Sequence, residues 1–311
     1  MINKNPLISI IIPFCNEEQN VDMFVEEILH TILNLDIKSE LILIDDGSID
    51  KTYDLCVGLS KKYSNVHTLS FTRNFGKESA ISAGLELSKG DAVITIDGDF
   101  QHPINLIKNM VNLWQNEKAM VVEGVKSKRQ KKSLLYQAMT FLYYKAIGSI
   151  GVNDIVNYSD YKLLDKNVVD SWKKLSETNI FYRGIIPWLG YKSVIIQYEV
   201  DDRRFGTSKW GFVSLVKYAI SSITSFTAAP LYFIVLLGLI FLLFSVFFGF
   251  HTFYVYFFDS SVDGFATIIL LLLIIGSFIM ISLGVIGLYI VNLFTEIKKR
   301  PRYVIQHSTF D

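Results

Sequence analysis

Short apolar runs alternate with segments of helical periodicity along the N-terminal part of the chain. Residues 7–13 are almost continuously apolar, as expected for a strand that is covered on both faces of a sheet. Asn20 then offers a helix cap. Apolar side chains recur at helical spacing over the next segment, at Val21, Phe24, Val25, Ile28 and Ile32. Further strands are predicted at 40–44, 67–72 and 91–96, with helices between them, so the pattern predicts an α/β fold with a doubly wound, mostly parallel sheet.

The alternation becomes less regular beyond Pro103, which suits the first turn of a helix. The apolar face of that helix would carry Ile104, Ile107, Val111 and Trp114. Later elements are predicted at 119–125 (strand), 165–174 (helix), 179–190 (helix), 191–200 (strand) and 212–226 (amphipathic helix). An aromatic-rich helix is predicted at 133–150, and its pattern fits both a helix on a bilayer surface and a helix in the core.

Two long apolar runs lie toward the C-terminal end. Between Ala228 and Thr295 the formally charged residues are Asp259 and Asp263 alone, and each resulting run exceeds the roughly 20 residues that span a bilayer. The sequence therefore predicts membrane helices at 229–258 and 265–295. A basic segment follows the second helix directly, so the positive-inside rule predicts that both ends of the chain lie in the cytoplasm.

Composition narrows the choice of partners. The formal net charge is zero, with 30 basic and 30 acidic residues, which gives no general attraction for nucleic acid. Cys15 and Cys56 lack the second pair that a zinc site or a disulfide framework needs. Both are predicted to be reduced thiols, and the chemistry is expected to depend on other side chains.

The clearest candidate for chemistry is the segment Asp97-Gly98-Asp99-Phe100-Gln101, which directly follows the predicted strand at 91–96. Alternation would send both carboxylates to one side of the chain, where they need a cation. Gln101 adds a neutral oxygen, and Gly98 allows a sharp turn. Hard oxygen ligands without cysteine favour Mg²⁺ or Mn²⁺ shared with a phosphate. A solvated polar turn is the alternative interpretation of an isolated Asp-x-Asp pattern.

Two neighbouring strands also end in polar residues. The strand at 40–44 leads into Asp45 and Asp46, and the strand at 67–72 leads into residues 73–77, which include Lys77. The carboxyl ends of parallel strands share one edge of a sheet, so these groups should line one rim together with Asp97 and Asp99. Such a rim offers acceptors for a base, a cation for phosphates and a backbone turn, and it predicts a nucleotide site.

A second cationic segment at 201–210 carries Arg203 and Lys209 on either side of a glycine. Cations on a loop close to a membrane suit an anionic lipid head group or a leaving diphosphate. Nonspecific attraction to acidic lipids is the competing interpretation.

Five motifs in order resemble those of inverting GT-A glycosyltransferases that charge polyprenyl phosphate. The likeness is closest to bactoprenol glucosyltransferases and more distant to dolichyl-phosphate mannose synthases. The motifs are Ile12-Pro13-Phe14-Cys15-Asn16-Glu17-Glu18 and the segments 45–48, 73–77, 97–103 and 203–209. The resemblance covers essentially the whole chain. It implies a GT-A domain at 1–210, a juxtamembrane amphipathic helix at 211–228, a two-helix anchor at 229–295 and a basic tail at 296–311.

The resemblance also implies roles for single residues. Pro13, Glu17 and Asp46 would line the nucleoside pocket, with the Asp46 carboxylate accepting from a uracil N–H. The substrate site would further include Gly76, Lys77 and Arg129, and Asp97, Asp99 and Gln101 would hold the divalent ion. Asp160 matches the acid that is often proposed as the base in this family. Arg203 and Lys209 match a mobile loop that binds phosphate.

This chain departs from the family pattern at four places. The family stretch Gly-Asp-Phe-Arg-Leu is here Ser159-Asp160-Tyr161-Lys162-Leu163, so a fork-shaped Arg has become Lys. Lys126 stands where relatives often carry Arg, and Gly98 replaces a common Ala. In the second predicted span, Leu288 and Val291-Asn292 interrupt a Gly-Glu-Tyr-Ile-Gly-Arg run that is typical of relatives. These differences bear on acceptor geometry and oligomer contacts more than on the chemistry.

The implied reaction is attack of undecaprenyl phosphate on the anomeric carbon of a UDP-sugar with inversion, at the cytoplasmic membrane of a bacterium. The hexose would be glucose or N-acetylglucosamine, and the resemblance suggests a homo-oligomer, a tetramer. A phosphomonoester has a second pKa near about 6, so Asp160 is either a base or a group that orients the acceptor. The alternatives are a processive membrane polysaccharide synthase, which two spans and the lack of a Gln-x-x-Arg-Trp stretch disfavour, and a noncatalytic sugar-nucleotide-binding membrane protein.

Overall fold

The computed structural model describes residues 6–35, 37–127, 158–178, 181–199, 224, 228–258 and 264–310. They belong to two compact units. One unit comprises Met1–Lys217 together with Arg300–Asp311, and the other comprises Tyr218–Lys299. The predicted helices at 133–150 and 211–228 therefore lie outside the described residues apart from Thr224 and Ala228, as do the site residues Arg129, Arg203 and Lys209.

The first unit is built on one sheet to which the described residues contribute eight strands. The strands are β1 (Leu7–Phe14), β2 (Lys38–Asp45), β3 (Val66–Phe71), β4 (Ala92–Thr95), β5 (Val121–Lys126), β6 (Tyr158–Asp165), β7 (Ser193–Tyr198) and β8 (Ile305–Ser308). Their order is β7-β5-β6-β4-β1-β2-β3-β8. The pairs β1–β2, β1–β4, β2–β3 and β5–β7 are parallel, which confirms the mostly parallel α/β sheet.

Helices connect these strands where hydrophobic periodicity predicts them. They are α1 (Val21–Leu33), α2 (Thr52–Lys62), α3 (Lys77–Leu87), α4 (Leu106–Glu117), α5 (Lys166–Lys173) and α6 (Tyr182–Trp188). The buried face of α1 consists of the five apolar residues that its spacing predicts, and it packs on a core shared with the central strands. Asn20 precedes this helix without capping it: its side-chain amide donates to Glu17 instead (2.6 Å).

Two strands and one helix start differ from the sequence prediction. β6 carries Asp160 and Lys162, and charged residues in a buried strand violate the usual pattern. β8 lies in the basic tail, for which no strand is predicted, and it pairs antiparallel with β3. α4 begins at Leu106 rather than beside Pro103, because a turn at Ile104 and Asn105 comes first.

The tail after Arg300 contacts the rest of the first unit through side chains as well as through β8. The Arg302 guanidinium donates to the carbonyl oxygens of Leu175 (2.8 Å) and Glu177 (2.9 Å) and lies over the Trp172 ring. Tyr303 stacks on Phe71, with ring centroids 4.8 Å apart. Strand β8 covers the β3 edge of the sheet, which would otherwise present unpaired backbone groups.

The second unit contains two long apolar helices, α7 (Ala229–Phe258) and α8 (Phe265–Lys298). Both are long and apolar enough to cross a membrane by length and composition. Phe241 of α7 lies against Phe278 of α8, with ring centroids 4.8 Å apart. The Asn292 amide donates to the Thr224 hydroxyl (3.0 Å), so this polar residue of α8 has a hydrogen-bond partner.

Candidate active site

The loops after β1 and β2 are joined by hydrogen bonds at the carboxyl ends of these strands. The Asn16 N–H donates to the Ser48 hydroxyl (2.8 Å), and the Asn16 side chain accepts from the Ile49 N–H (2.8 Å). Asn16 adopts a left-handed conformation (φ 51°), which asparagine tolerates better than most residues. Pro13 is half-buried in β1, and Glu17 is half-buried in the turn that follows. Both predicted pocket residues therefore lie at this edge of the sheet.

Asp46 connects the end of β2 to the turn after β3. Its carboxylate accepts hydrogen bonds from the backbone N–H groups of Phe75 (2.7 Å) and Gly76 (3.0 Å). The two turns approach so closely that a Cβ at Gly47 would lie 2.6 Å from the Asn74 nitrogen, and Gly47 also needs its positive φ of 62°. Burial raises the pKa of Asp46 to about 6, although the hydrogen bonds from Phe75 and Gly76 act in the opposite direction. Asp46 and Gly76 thus lie together, as the sequence predicts.

The Asp97–Gln101 turn follows β4 and rests on aromatic rings. A Cβ at Gly98 would overlap the Phe14 ring, and Phe14 packs edge-to-face against Phe24. Phe100 has a positive φ of 61°, which is uncommon for a bulky residue, and its buried ring packs on Phe24. The Asp99 carboxylate accepts from the Gln101 N–H (3.1 Å). This packing holds Asp97, Asp99 and Gln101 half-buried at the rim.

Four charged side chains meet beyond this turn. Lys77 Nζ lies 2.6 Å from Asp97 Oδ1 and 2.5 Å from Asp160 Oδ2. Arg183 donates two hydrogen bonds to the Asp160 carboxylate, from Nε to Oδ1 (2.7 Å) and from Nη2 to Oδ2 (2.9 Å). Burial opposes the charge on Asp160, but Arg183 and Lys77 outweigh it and hold the pKa of Asp160 well below its usual value. The structure thus brings Lys77, Asp97 and Asp160 together and adds Arg183, which the sequence patterns do not assign to the site.

The buried His102 ring contacts the Asp97–Gln101 turn. Its ring is buried and stacks on Tyr161, with centroids 5.1 Å apart, and the Asp97 N–H donates to its Nδ1 (3.4 Å). Burial lowers the pKa of His102 to about 4, so the ring is neutral at physiological pH. A neutral ring that accepts from the Asp97 backbone fixes the turn without adding a cation.

Lys162, which the resemblance aligns with an Arg, does not reach the rim. Its ammonium is fully buried and pairs with the buried Glu123 carboxylate of β5. Lys126, at the end of β5, is half-buried, and burial followed by the nearby charge of Arg183 lowers the pKa of Lys126. Lys126 therefore belongs electrostatically to the site, whereas Lys162 is part of the core.

The rim provides ligands that fit a hard divalent cation. Asp97 and Asp99 contribute carboxylates and Gln101 an amide oxygen, and Asp97 already faces a cation, the Lys77 ammonium. The described part of the chain holds no group of three or more His, Cys, Asp or Glu side chains that converge on one metal position. A site with two carboxylates leaves coordination positions open on the ion. It therefore fits Mg²⁺ or Mn²⁺ that is shared with phosphate oxygens, rather than an ion enclosed by protein ligands alone.

Comparisons with known proteins assign the sequence to a family. Residues 9–172 match the family described as "Glycosyl transferase family 2". CsbB of Bacillus subtilis (strain 168), named as a glycosyltransferase, is 37% identical over 307 residues, which cover 98% of this chain and 93% of that protein. The prophage bactoprenol glucosyl transferase homolog of Escherichia coli (strain K12) is 34% identical over 301 residues, covering 96% and 98% of the two chains.

Among solved structures, the fold is similar to that of glucosyl-3-phosphoglycerate synthase from Mycobacterium tuberculosis, solved in complex with Mn²⁺ and UDP-glucose. It has a TM-score of 0.48 and 18% identity, and the match covers 70% of this chain and 77% of that one. The family assignment rests on the sequence matches, because the family region takes in more than half of the chain and the relatives align almost end to end. The chain belongs to glycosyl transferase family 2 and is a glycosyltransferase with a GT-A fold.

Proposed function

We propose that this enzyme transfers a hexose, glucose or N-acetylglucosamine, from a UDP-sugar to undecaprenyl phosphate at the cytoplasmic membrane of a bacterium. The observation that carries the proposal is the rim itself: Asp46, Gly76, Lys77, Asp97 and Asp99 lie at the carboxyl ends of neighbouring strands. Relatives that match nearly the whole chain are named bactoprenol glucosyl transferases, which supports a polyprenyl phosphate acceptor.

Different residues would bind different parts of the UDP-sugar donor. Asp46, Pro13 and Glu17 would bind the nucleoside, and Asp97, Asp99 and Gln101 would hold Mg²⁺ or Mn²⁺. When bound, this ion would stabilise the negative charge of the departing diphosphate. Arg203 and Lys209 are proposed to contact the phosphates and Arg129 to belong to the substrate site; all three lie outside the described residues. Cations that face a leaving diphosphate supply the largest electrostatic contribution in such reactions.

The reaction needs one bond formed and one broken at the anomeric carbon. A phosphate oxygen of the acceptor attacks this carbon, its bond to UDP breaks from the opposite side, and the configuration inverts. No proton has to be removed from the nucleophile, because a phosphomonoester is mostly ionised above a pH of about 6. The products are a polyprenyl monophosphate sugar and UDP.

The two apolar helices would keep the enzyme where its acceptor is. Tethering to the membrane converts a search in solution into a local encounter with the lipid phosphate. Strand β8 follows α8 in the chain and pairs with β3, so segments on both sides of the helical hairpin belong to one unit. This connectivity supports the proposed topology of two spans with the catalytic domain (1–210) and the tail (296–311) on the cytoplasmic side. A homo-oligomer is proposed on the resemblance alone.

The test uses the full-length protein in nanodiscs containing undecaprenyl phosphate and Mn²⁺, with a panel of radiolabelled UDP-sugars and extraction of the lipid product. We expect one sugar to appear as a single residue on the lipid, and Asp99→Ala to reduce transfer at least about a hundredfold. Glu26→Gln, which removes an exposed carboxylate paired with Lys62, is the matched control. Growth to a polymer would support a processive synthase, and UDP binding without turnover would support a noncatalytic binding protein.

A further inference from the structure

Asp160 is engaged by two cations at once. Oδ1 accepts from Arg183 Nε, while Oδ2 accepts from both Arg183 Nη2 and Lys77 Nζ. The carboxylate is almost buried, with 11% of its side chain exposed, whereas 36% of the Arg183 side chain and 33% of Lys77 are exposed. The acid therefore lies behind the two cations, and the cations lie nearer to the solvent from which substrates arrive.

This geometry fits poorly with a proton acceptor. A general base needs an oxygen within reach of the proton that it removes and a pKa near the working pH. Both Asp160 oxygens already accept charge-assisted bonds, and the two cations keep the carboxylate ionised and weakly basic. The nucleophile of the proposed reaction does not require such a base, because the acceptor phosphate is already an anion.

The backbone that carries Arg183 is connected to the sheet by hydrogen bonds of its neighbour. Its neighbour Tyr182 is buried and shares a hydrogen bond with the Thr95 hydroxyl (3.0 Å), and Thr95 donates to the Asp160 carbonyl. This chain of hydroxyls joins the first turn of α6 to β4 and β6. Asp160 occupies the Nε–Nη2 edge of the guanidinium, so the plane of the group is fixed and its Nη1 side points away from the acid. A pre-oriented guanidinium of this kind is well suited to bind phosphate.

The strand order indicates which phosphate Arg183 would meet. Along the sheet, the order β6-β4-β1-β2-β3 places the Asp46 turn on β2, the Asp97 turn on β4 and Asp160 on β6. Asp160 and Arg183 therefore lie beyond the proposed metal ligands as seen from the nucleoside pocket. An inverting attack brings the acceptor phosphate to the side of the sugar opposite the leaving diphosphate. With the diphosphate on the proposed metal ligands after β4, the β6 side of the site would receive the acceptor.

We propose that Arg183, together with Lys77, binds the phosphate of the lipid acceptor, and that Asp160 acts as a positioning residue that holds these two cations. The proposal rests on the proposed function, since it assigns residues to the acceptor of that reaction. It makes Arg183 a catalytic residue that touches substrate, and it removes the need for a base at position 160.

The first experiment separates the Michaelis constants for the two substrates in Arg183→Lys, which keeps the charge but loses the fork. We expect the KM for undecaprenyl phosphate to rise at least tenfold and the KM for the UDP-sugar to change less than twofold. UDP binding in the presence of Mn²⁺, measured by calorimetry, should stay at the wild-type value and report an intact site. Lys62→Gln, an exposed cation paired with Glu26, should leave both constants unchanged. A rise confined to the UDP-sugar KM, or no change in either constant, would overturn the assignment.

Two acceptors distinguish the lipid phosphate from phosphate in general. A short, water-soluble isoprenyl phosphate should show the same loss in Arg183→Lys as undecaprenyl phosphate. Inorganic phosphate should compete with both acceptors more weakly in the variant than in the wild type. Equal inhibition by phosphate in the two proteins would show that Arg183 does not bind the phosphate group and would overturn the proposal.

The second experiment addresses Asp160 with a double-mutant cycle of Arg183→Gln and Asp160→Asn. If Asp160 acts through Arg183 and Lys77, its substitution should cost much less in the Arg183→Gln background than in the wild type. The rate of Asp160→Asn should also show the same dependence on pH as the wild type between about 6 and 9. Loss of the acidic, ascending limb of the pH profile, with unchanged acceptor KM, would identify Asp160 as a base. Absence of any lipid-linked sugar with the wild-type enzyme would instead refute the proposed function.

Discussion

The Lys77 ammonium lies between two carboxylates from different strands, 2.6 Å from Asp97 and 2.5 Å from Asp160. Lys77 thus neutralises the aspartate that is proposed to hold the divalent ion. Burial of Lys77 opposes its charge, yet the two acids raise the pKa of Lys77 above its ordinary value, so the residue stays a cation. A metal ion that binds Asp97 has to compete with this ammonium.

The first prediction follows from that competition. Replacing Lys77 by Met should increase the affinity of the free enzyme for Mn²⁺ by about tenfold, because a charge-assisted bond to Asp97 no longer has to be displaced. Glycosyl transfer should fall in the same variant, since the cation is lost from the site. Electron paramagnetic resonance of Mn²⁺ without nucleotide gives the affinity, and Lys62→Met is the control. An unchanged or weaker affinity for Mn²⁺ would contradict the competition.

The contact between Gly98 and Phe14 gives the second prediction. A Cβ at position 98 would overlap the Phe14 ring. Gly98→Ala should therefore lower the free energy of unfolding by about 1–3 kcal/mol and weaken Mn²⁺ binding, because the turn has to move. Thermal unfolding of the full-length protein measures the first effect.

The matched rescue for this variant is a smaller side chain at position 14. In the double variant Gly98→Ala, Phe14→Leu, the added methyl group has room, so Mn²⁺ affinity should recover relative to Gly98→Ala alone. The Phe14→Leu change by itself should cost stability but leave metal affinity near the wild-type value. Additive losses in the double variant would show that the overlap is not the cause.

The raised pKa of Asp46 gives the third prediction. The carboxylate is ionised above a pH of about 6 and protonated below it, and only the ionised form is a pure acceptor for a uracil N–H. Affinity for uridine, which carries no phosphate of its own to titrate, should therefore fall as the pH drops through about 6. The ionised fraction decreases about tenfold per unit at lower pH. Calorimetric titration of full-length protein with uridine measures this dependence.

Asp46→Asn is the control for that titration. Its side-chain oxygen still accepts a hydrogen bond but does not titrate, so uridine affinity should be independent of pH over the same interval. A pH dependence that persists in the variant would assign the titration to another group.

The raised pKa of Asp46 also makes the stability of the protein depend on pH. Because folding raises this pKa, the contribution of Asp46 to the free energy of unfolding is present at acidic pH and is lost as the pH rises through about 6.

Arg302 gives the fourth prediction. Its guanidinium donates to two carbonyl oxygens that follow α5 and lies 3.5 Å from the Glu86 carboxylate of α3. Arg302→Gln should lower the free energy of unfolding by about 1.5–3 kcal/mol, the range for hydrogen bonds made by a charged group. Arg300→Gln removes an exposed cation two residues away and should change stability little. Equal effects of the two substitutions on thermal unfolding would argue against a specific role of Arg302.

Sequence patterns predict the fold well where one physical rule dominates. Continuous apolar runs identify β1 and β2, helical periodicity identifies the five buried residues of α1, and hydrophobic length gives α7 its observed bounds. The rim is predictable because parallel strands align their carboxyl ends, and this rule alone brings Asp46, the 73–77 turn and Asp97 to one edge of the sheet.

The remaining features depend on partners that are distant in sequence. β6 is not predicted because Lys162 is charged, and its burial is compensated by the Glu123 carboxylate of the adjacent strand, which is distant in sequence. Arg183 is not assigned to the site by any pattern, because its bond to Asp160 joins two elements that no periodicity relates. β8 is missed because an edge strand of four residues, all exposed, has no hydrophobic signature.

The tail strand has a consequence for biosynthesis. β8 follows both apolar helices in the chain, so the ribosome makes the partner of β3 only after α7 and α8 have been synthesised. Domains usually fold as their residues emerge, N-terminal part first. In this enzyme the β3 edge stays uncovered until both apolar helices have been synthesised, so the catalytic sheet is completed only after the helical hairpin.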